Sequence, residues 1–541
     1  MKNLEKLLLI TCLVFSVVFV CFGQSEYILE WSANENSQIG QWTQDCPNLY
    51  LKECQKVRLD AESNVIVAGT SNENGNYDFL IAKYSNEGIV FWKNLYGAST
   101  ESTEYLTGVH VFENGNILVS GFSILNDNEA RSLVIMLSAE GDVLWEQFLL
   151  EDYVWSFPQG ISVNDDSDIY LTGYINQTFS SRQLYTVKMD SFGNILWEEI
   201  YSEDETGRYE GLEIRVVDNV VSVIGYFFRS FPQIRNVVTL NYSEDGELLS
   251  SNETPFEGNL SSAYIDENGS SYIGLFGDFE IIKYNQSGIE EWSFEVPTNL
   301  PNNVTADEVT DIISDGDGNV YITGRHYGEN YGDTLNYTNG DLQVCKISPS
   351  GDLIYGYRYE NLGTHAFDGG NKLFLSENHL VIGGMSQGVS VGTDYDYVSI
   401  VLDENGNAID TIRFHQEGDE VVKSVIMDDE KNVYLTGVGN GSTLTQKYRF
   451  GKIVSTDENF GAESEVVLYP NPFESILVVE GDVFNSCELV LSNFSGEVVH
   501  KAIIDDLSNA RLDLSWLSSG VYFVQLIDGD KNTINRKVIK L

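Results

Sequence analysis

The sequence predicts an all-β protein in which a β-propeller is followed by a small C-terminal β-sandwich. A strand-like segment that ends in glycine recurs eight times at a nearly constant spacing. A non-repeating stretch of short alternating strands follows the last repeat. The composition, with 42% hydrophobic and 12% aromatic residues, excludes an extended disordered chain.

The recurring segment is rich in β-branched residues, as in Asn116-Ile-Leu-Val-Ser-Gly121 and Asp168-Ile-Tyr-Leu-Thr-Gly173. Its terminal glycines lie 49 to 60 residues apart. They are Gly69, Gly121, Gly173, Gly225, Gly274, Gly324, Gly384 and Gly437. A strand-rich repeat of this length is typical of a propeller.

Each repeat contains four predicted strands. A turn such as Glu113-Asn-Gly115 joins the first strand to the glycine-ending second strand, and an alternating third strand follows. The fourth strand often carries a tryptophan, namely Trp92, Trp145, Trp197 or Trp292. Four antiparallel strands predict a propeller blade, and we expect the repeated glycines and tryptophans to serve packing between blades.

The N-terminal stretch predicts how the ring closes. Tyr27-Ile-Leu-Glu-Trp31 and Gln41-Trp42 resemble the last strands of a blade, whereas the eighth repeat fades after Arg449. An N-terminal segment that completes the last blade would remove exposed sheet edges. We therefore expect eight blades within residues 24–452, with seven as the alternative.

The repeat pattern is Asp-x-x-Gly-Asn-x-Tyr-x-Thr-Gly, followed by Lys-Tyr and Gly-x-x-x-Trp. This pattern resembles the bacterial β-propeller repeat family that was once described as seven-bladed. The resemblance covers about 400 residues. It implies a fold and no particular function, because the members of the family mostly lack a defined activity.

A second module follows the repeats. Polar residues after Gly451 predict a linker over 453–466. Four alternating stretches come next, in the order Leu468-Tyr-Pro-Asn-Pro-Phe473, Glu488 to Val499, Leu512 to Leu526, and Arg536 to Leu541. Short alternating strands with turn residues between them predict a small β-sandwich over residues 467–541.

These four stretches are similar to the type IX secretion C-terminal sorting domain of Bacteroidetes. The similarity implies that the secretion machinery is a partner and that the chain crosses the outer membrane. It also implies that this domain is then removed, often with attachment of the protein to surface lipopolysaccharide. The residues that would carry the sorting signal are Tyr469, Pro470, Asn471, Pro472, Gly520, Tyr522, Lys537 and Lys540.

The N-terminus predicts export. A charged head precedes the apolar residues 7–22, a run of signal-peptide length that is short for a membrane span of ~20 residues. Cleavage after Gly23 would leave Gln24 first. Val20 before Cys21 does not fit a lipoprotein signal, so we expect no lipid anchor. We expect a monomer without a transmembrane segment, secreted or attached to the outer-membrane surface.

The chain is strongly acidic, with 82 Asp and Glu against 31 Lys and Arg and a net charge of −51. Such a field disfavours nucleic acid and anionic membranes as partners and keeps an exported protein in solution. Adaptation to saline surroundings would produce the same charge, so both explanations stay open.

The sequence offers few candidates for covalent or metal chemistry. Cys46 and Cys54 are candidates for a local disulfide, with two free thiols as the alternative. The six histidines show no metal-binding spacing, so we expect no metal and no cofactor. The turn that contains Asp315 and Asp317 has the spacing of a calcium loop but lacks the final glutamate of an EF-hand. Calcium there is a weaker alternative.

Candidate ligand-binding residues lie mainly in the loops between second and third strands, which we expect around the central channel. They are His326, Tyr327, Tyr331, Tyr337, Arg229, Tyr395 and Tyr397. Exposed aromatic side chains beside polar groups suit carbohydrate or peptide recognition. Self-packed loops are the alternative reading.

We therefore expect a non-enzymatic, exported propeller that binds glycans or proteins. Gly384-Met-Ser-Gln-Gly388 matches a nucleophile elbow, but loop and strand follow it instead of a helix, so we expect no catalytic role for Ser386. A secreted polysaccharide-degrading enzyme with its site at the channel mouth is the main alternative. A purely structural envelope component is the third hypothesis.

Overall fold

A computed structural model gives the fold of the chain. It describes residues 27–35, 55–71, 77–97, 99, 102–126, 129–178, 181–277, 279–296, 307–326, 340–359, 367–387, 395–415, 418–439, 442–450, 467–469, 475–480, 487–493, 498–504, 510–517, 520–528 and 533–540. Within these ranges every regular element is a β-strand, which confirms the all-β prediction. Cys46 and Cys54 lie outside them, so their disulfide stays a prediction.

The strands before residue 256 form one N-terminal strand and four repeats. The N-terminal strand is β1 (Tyr27–Glu35). Repeat 1 holds β2 (Gln55–Leu59), β3 (Val65–Ser71), β4 (Asp78–Tyr84) and β5 (Val90–Tyr96). Repeat 2 holds β6 (Thr103–Val111), β7 (Ile117–Asn126), β8 (Glu129–Leu137) and β9 (Val143–Phe148). Repeat 3 holds β10 (Trp155–Val163), β11 (Ile169–Thr178), β12 (Ser181–Met189) and β13 (Ile195–Tyr201). Repeat 4 holds β14 (Arg208–Val217), β15 (Val220–Ser230), β16 (Gln233–Ser243) and β17 (Leu248–Pro255).

Four more repeats follow. Repeat 5 holds β18 (Asn259–Ile265), β19 (Ser271–Gly277), β20 (Glu280–Tyr284) and β21 (Glu290–Glu295). Repeat 6 holds β22 (Asp307–Ser314), β23 (Val320–His326), β24 (Asp341–Ile347) and β25 (Leu353–Tyr359). Repeat 7 holds β26 (Asp368–Ser376), β27 (His379–Gln387), β28 (Tyr395–Asp403) and β29 (Ala408–Phe414). Repeat 8 holds β30 (Glu420–Met427), β31 (Val433–Gly439) and β32 (Ser442–Phe450).

Within each repeat the strands pair antiparallel in sequence order, as a propeller requires. A few bridges between repeats join repeats 2 to 4, and repeats 5 and 6, into larger sheets. The first strands of consecutive repeats contact one another in succession, and β2 also contacts β30. These contacts form a closed cycle.

The cycle closes through the N-terminal strand. β1 pairs antiparallel with β32, from Tyr27 opposite Phe450 to Glu35 opposite Thr443, and so supplies the fourth strand of repeat 8. This pairing confirms the predicted closure, although β32 is the third strand and only one strand comes from Tyr27–Glu35. The second predicted segment, Gln41-Trp42, lies outside the described residues.

Acidic side chains close the turns between first and second strands. In repeat 6, Asp315 accepts hydrogen bonds from the backbone N–H groups of Asp317 and Asn319 at 3.1 and 2.8 Å. It also accepts from the Asn319 side chain at 2.9 Å and the Tyr321 hydroxyl at 3.1 Å. Comparable bonds are made by Asp60, Asp266 and Asp428. The repeated Asp, Asn and Tyr residues therefore stabilise one turn through hydrogen bonds to each other.

The repeated tryptophans join neighbouring repeats, which confirms their predicted packing role. The Trp145 indole N–H donates to the Ser191 carbonyl oxygen of the next repeat at 3.0 Å. The indole ring covers Gly193, whose φ is 86° and where an added Cβ would lie 2.9 Å from the ring. Equivalent bonds of 2.9 to 3.0 Å are made by Trp92, Trp197 and Trp292.

We expect Trp145→Phe to weaken this junction by about 1 kcal/mol, because the ring contact stays while the N–H···O bond is lost. The amides of the turn 190–194 should then exchange with deuterium about fivefold faster. Hydrogen–deuterium exchange read by mass spectrometry measures this. Leu144→Ala, at an exposed position of the same strand, is the control and should leave the turn unchanged.

The hydrophobic core lies between neighbouring repeats. Phe79 of repeat 1 belongs to one buried cluster with Leu133 of repeat 2. At the closure, Tyr84 of repeat 1 and Tyr434 of repeat 8 share a cluster against which Trp31 packs. Because each sheet face is covered by the next repeat, the ring depends on every junction.

Contacts divide the chain into two compact units, Met1–Phe450 and Gly451–Leu541. The second unit contains a sheet of β33 (Val467–Tyr469), β34 (Ile476–Glu480) and β37 (Ala510–Asp513). Its other sheet contains β35 (Cys487–Asn493), β36 (Val498–Ile504), β38 (Gly520–Asp528) and β39 (Thr533–Lys540). Leu477 of the first sheet and Leu489 and Val538 of the second share one core.

None of the segments that the structure describes forms a helix long and apolar enough to cross a membrane.

Candidate functional site

The first strands of all eight repeats line one cavity of about 580 Å³. These eight strands also contact one another in a closed cycle. The cavity is therefore the central channel of the ring. Its volume lies within the range of small-molecule sites, which is ≈ 300–1,000 Å³.

The first strand of each of repeats 2 to 8 contains a β-bulge. The register of each of these strands shifts by one residue against its second strand, whereas β2 pairs without a shift. A bulge inserts one extra residue into the strand and changes the direction of its side chain. The extra residues are Thr107, Gln159, Leu212, Ser261, Thr310, Asn371 and Lys423.

Four of the bulge residues bond to the next repeat, and one of them is Gln159, whose side-chain amide donates to the Glu210 carboxylate at 3.5 Å. The Ser261 hydroxyl donates to the Val309 carbonyl oxygen at 2.6 Å, and the Thr310 hydroxyl donates to that of Gly370 at 2.7 Å. The side-chain amide of Asn371 donates to a carbonyl of repeat 8 at 3.0 Å. Lys423 occupies this position in repeat 8, and its ammonium has no hydrogen bond or ion pair with any residue in the described ranges.

The charge balance of the channel is the reverse of that of the chain. Three basic residues, Lys56, Arg58 and Lys372, line the cavity, against two acidic residues, Glu213 and Asp311. Over the whole chain, acidic residues outnumber basic ones by 82 to 31. The Lys372 ammonium lies 3.0 Å from an Asp311 carboxylate oxygen, so this pair is neutral as a unit.

Two titratable groups, His110 in the channel and Lys423 in the first strand of repeat 8, are shifted towards their neutral forms. Burial, and to a smaller extent the positive charge of Arg58, lowers the pKa of His110. Lys423 lies outside the residues that line the cavity; burial, and then the positive charges of Lys372 and Arg325, lowers its pKa, and the Glu308 carboxylate opposes this shift. Burial is the larger cause of both shifts.

The predicted ligand-binding residues do not form one surface. His326 is buried, with its Nδ1 3.0 Å from the Asp307 carboxylate and its ring against Phe279. This corrects the expectation that His326 is exposed, because the imidazole fills space between two repeats. Tyr327, Tyr331 and Tyr337 lie outside the described residues, and their role stays a prediction.

Tyr397 also differs from expectation. It is fully buried, and its hydroxyl donates to the Leu444 carbonyl oxygen at 2.9 Å, so it is a packing residue between repeats 7 and 8. Tyr395 is partly buried, and its ring contacts Phe367 edge-on. Arg229 is paired with the Asp204 carboxylate. Ligand binding by Tyr395 and Arg229 stays a prediction.

The acidic turn at Asp315 and Asp317 has a structural role. Both carboxylate oxygens of Asp315 accept hydrogen bonds from their own turn, as described above. The equivalent turns at Asp60, Asp266 and Asp428 use an aspartate in the same way. These bonds account for the spacing of the acidic residues, and calcium binding stays a prediction.

Among the residues that the structure describes, one group could hold a metal ion, namely Asp396, His415 and Glu420. His415 Nδ1 lies 2.7 Å from an Asp396 oxygen and 4.0 Å from a Glu420 oxygen. Asp396 also accepts a hydrogen bond of 2.7 Å from Arg413, so a cation already neutralises it. Sequence spacing missed this group because its members come from two neighbouring repeats.

Ser386 lies fully buried within β27. The chain there is an extended strand paired on both sides, with Asp368 and Asp396 opposite Ser386. A nucleophile elbow instead exposes its serine at a sharp turn between a strand and a helix. The local backbone therefore does not have the geometry of an elbow.

The residues of the predicted sorting signal are distributed over the C-terminal unit. Tyr469 ends β33, and Pro470, Asn471 and Pro472 lie outside the described residues. Gly520 begins β38, in which Tyr522 is buried in the core. Lys537 and Lys540 belong to β39, and Lys540 is buried.

Residues 467–540 match the family model of the secretion system C-terminal sorting domain. The prediction of a sorting domain is confirmed. This match covers the C-terminal unit and indicates export through the type IX secretion machinery to the cell surface or the medium. No curated protein sequence matches the chain.

Several solved structures are similar to the chain, each with low sequence identity and a low TM-score. A streptogramin B lyase is 11% identical, with 77% of this chain and 98% of that chain covered and a TM-score of 0.36. The periplasmic gluconolactonase of Pseudomonas aeruginosa is 12% identical, with 66% and 98% covered and a TM-score of 0.39. A puromycin hydrolase is 11% identical, with 75% and 61% covered and a TM-score of 0.42. Similarity at this level carries no argument about the function of this chain.

Proposed function

We propose that this protein is an exported, eight-bladed β-propeller that binds a ligand in its central channel without chemical turnover. The observation that carries the proposal is the convergence of all eight first strands on one cavity of about 580 Å³. The ligand class is a glycan or a protein segment, because polar and charged side chains surround the space.

The proposal assigns a role to each part of the chain. Residues 1–23 are a signal peptide, residues 24–452 the propeller, and 453–466 a linker. Residues 467–541 are a small β-sandwich that directs export and is then removed. The closed cycle of contacts between first strands supports eight blades over seven. The shared core of the two C-terminal sheets supports a sandwich.

The channel mouth extends the proposed site. Residues 327–339 come between the second and third strands of repeat 6 in the sequence, and we propose that Tyr327, Tyr331 and Tyr337 belong to the channel mouth. Arg229 and Tyr395 lie next to the corresponding loops of repeats 4 and 7. We propose that these side chains contact the part of the ligand that remains outside the channel.

A second candidate function is a secreted polysaccharide-degrading enzyme. The observation that favours it is His110, which lines the channel beside Arg58. Because burial and Arg58 lower the pKa of His110, the imidazole is neutral over a wider pH range and could accept a proton. The position of His110 beside Arg58 is equally compatible with ligand binding without chemical turnover.

We expect the chain that begins at Gln24 to bind a subset of glycans on an array and to leave those glycans uncleaved. Chromatography of each bound glycan after prolonged incubation measures cleavage. A protein boiled before use is the control for binding. If the unchanged chain yields shortened or unsaturated products and a His110→Ala variant does not, the protein is an enzyme and the binding proposal is wrong. Absence of any glycan or protein ligand would favour a structural role.

A further inference from the structure

Two buried carboxylates meet at the junction between repeats 7 and 8. Asp396 is the second residue of β28 in repeat 7, and Glu420 is the first residue of β30 in repeat 8. Both side chains are buried, and an oxygen of each lies within 4.8 Å of the other. Two carboxylates side by side and away from water are unfavourable unless cations or hydrogen-bond donors compensate their charges. A cation is therefore stabilised at this junction.

Strand pairing brings a histidine to the two carboxylates. His415 directly follows β29, whose last residue pairs with the neighbour of Asp396 on β28. Its Nδ1 lies 2.7 Å from an Asp396 oxygen and 4.0 Å from a Glu420 oxygen. The imidazole is exposed, whereas both carboxylates are buried. One nitrogen and two oxygen ligands thus converge on a point that solvent can reach from the side of His415.

The junction between repeats 1 and 2 has the same pair of carboxylates without a histidine. Asp78 of β4 and Glu104 of β6 are both buried there. The position equivalent to His415 is Gly97, because each directly follows the fourth strand of its repeat. A Cβ added to Gly97 would come within 3.0 Å of oxygens of both Asp78 and Glu104. A side chain at this position therefore projects between the two carboxylates of a junction, and in repeat 7 that side chain is an imidazole.

Arg413 leaves one oxygen of Asp396 for a metal ion. The Arg413 guanidinium donates to Oδ2 of Asp396 at 2.7 Å, whereas His415 contacts Oδ1. When Asp396 and Glu420 are both ionised, the guanidinium compensates one negative charge and leaves the second for another cation. The net charge of −51 also attracts cations to the surface of the chain. The charge balance of the junction therefore favours a divalent ion even with Arg413 in place.

We propose that Asp396, His415 and Glu420 bind a divalent transition-metal ion such as Zn²⁺, with water from the exposed side as a further ligand. Imidazole nitrogen and carboxylate oxygen are zinc ligands, and imidazole selects zinc over calcium and magnesium. Two ligands of one tetrahedral zinc ion lie about 3.4 Å apart. The separations of 2.7 and 4.0 Å from His415 Nδ1 each differ from this by less than about 1 Å, which rotation of the exposed imidazole can supply.

The ion would join two repeats. Asp396 and His415 come from repeat 7 and Glu420 from repeat 8, whose last strand is supplied by β1. None of the three residues lines the channel cavity, so the metal site goes beyond the proposed binding function and does not depend on it. Because a bound metal ion adds its binding free energy to the folded state, Zn²⁺ would stabilise the ring next to its closure.

Isothermal titration calorimetry with ZnCl₂, on the chain that begins at Gln24 and has been stripped of metals by a chelator, tests the proposal. An excess of Ca²⁺ in the buffer occupies sites that consist of carboxylates alone. We expect one tightly bound Zn²⁺ per chain. His415→Ala should weaken its binding about a hundredfold, because loss of an outer hydrogen-bond partner already costs about 10–100-fold and His415 is a ligand. Zn²⁺ should raise the Tm of the unchanged chain and not that of His415→Ala.

His500→Ala is the matched control, because it removes a histidine of the C-terminal unit, where the ring contacts Trp516, and should leave Zn²⁺ affinity unchanged. Equal Zn²⁺ affinity in the unchanged chain and in His415→Ala would overturn the proposal, and so would the absence of a tight site in the unchanged chain. If His415→Ala lowers the Tm of the metal-free chain, X-ray absorption at the zinc edge of the unchanged chain decides. A zinc ion without an imidazole ligand would then contradict the site.

Discussion

Removal of residues 24–35 should lower the free energy of unfolding of the propeller by about 3–6 kcal/mol. Tyr27 and Trp31 of β1 pack into clusters that join β1 to repeats 7 and 8 and to repeat 1, and burying a large side chain contributes about 1.5–3 kcal/mol. The Trp31 indole N–H also donates to the Asn86 carbonyl oxygen of repeat 1 at 2.9 Å. The junction between repeats 8 and 1 therefore contains the same kind of tryptophan hydrogen bond as the junctions described above.

Addition of a peptide with the sequence of residues 24–36 should restore the lost stability, because it can pair again with the exposed edge of β32. The Tm of the shortened chain with and without peptide measures the rescue. A peptide carrying Trp31→Ala should rescue less, and one carrying Ser32→Ala, at an exposed position, should rescue fully. An unchanged Tm after the deletion would mean that β1 does not close the ring.

A chain truncated after Glu463 should remain in the periplasm of a host with type IX secretion, whereas the full chain reaches the surface or the medium. The truncation removes residues 467–540, which match the sorting-domain family, and leaves the unit Met1–Phe450 whole. We expect the surface and medium fractions to lose most of the exported protein, which quantitative immunoblots of separated fractions measure.

Two controls separate sorting from misfolding. The truncated chain should show the same protease resistance in the periplasm as the propeller of the full chain. A periplasmic reporter fused to residues 453–541 should be exported. Export of the truncated chain in normal amounts would overturn the sorting assignment.

The repeat sequence predicted much of the ring because its signals are local. The Asp-x-x-Gly-Asn-x-Tyr pattern is one turn whose donors and acceptors lie within six residues, as the bonds of Asp428 to Asn432 and Tyr434 show. The tryptophans were predictable as packing residues because they recur at one position of the repeat. Closure through Tyr27–Glu35 was predictable because the eighth repeat lacked its last strand.

The candidate site was less predictable, because it depends on contacts between repeats. His326 and Tyr397 were expected at an exposed surface, yet neighbouring repeats bury them. The basic residues of the channel were not among the candidates. Lys56 and Arg58 come from repeat 1 and Lys372 comes from repeat 7, and no spacing along the chain relates them.

The sequence by itself determined that this protein is an exported, repeat-built all-β chain with a sorting domain at its C-terminal end. Strand periodicity, turn residues and the sorting motifs are local patterns, so the amino-acid order contains them directly. Only the tertiary structure decided which side chains face the channel. That choice depends on the bulges in the first strands of repeats 2 to 8 and on the order of the repeats around the closed cycle. Together they place residues more than 300 positions apart, such as Lys56 and Lys372, around one cavity.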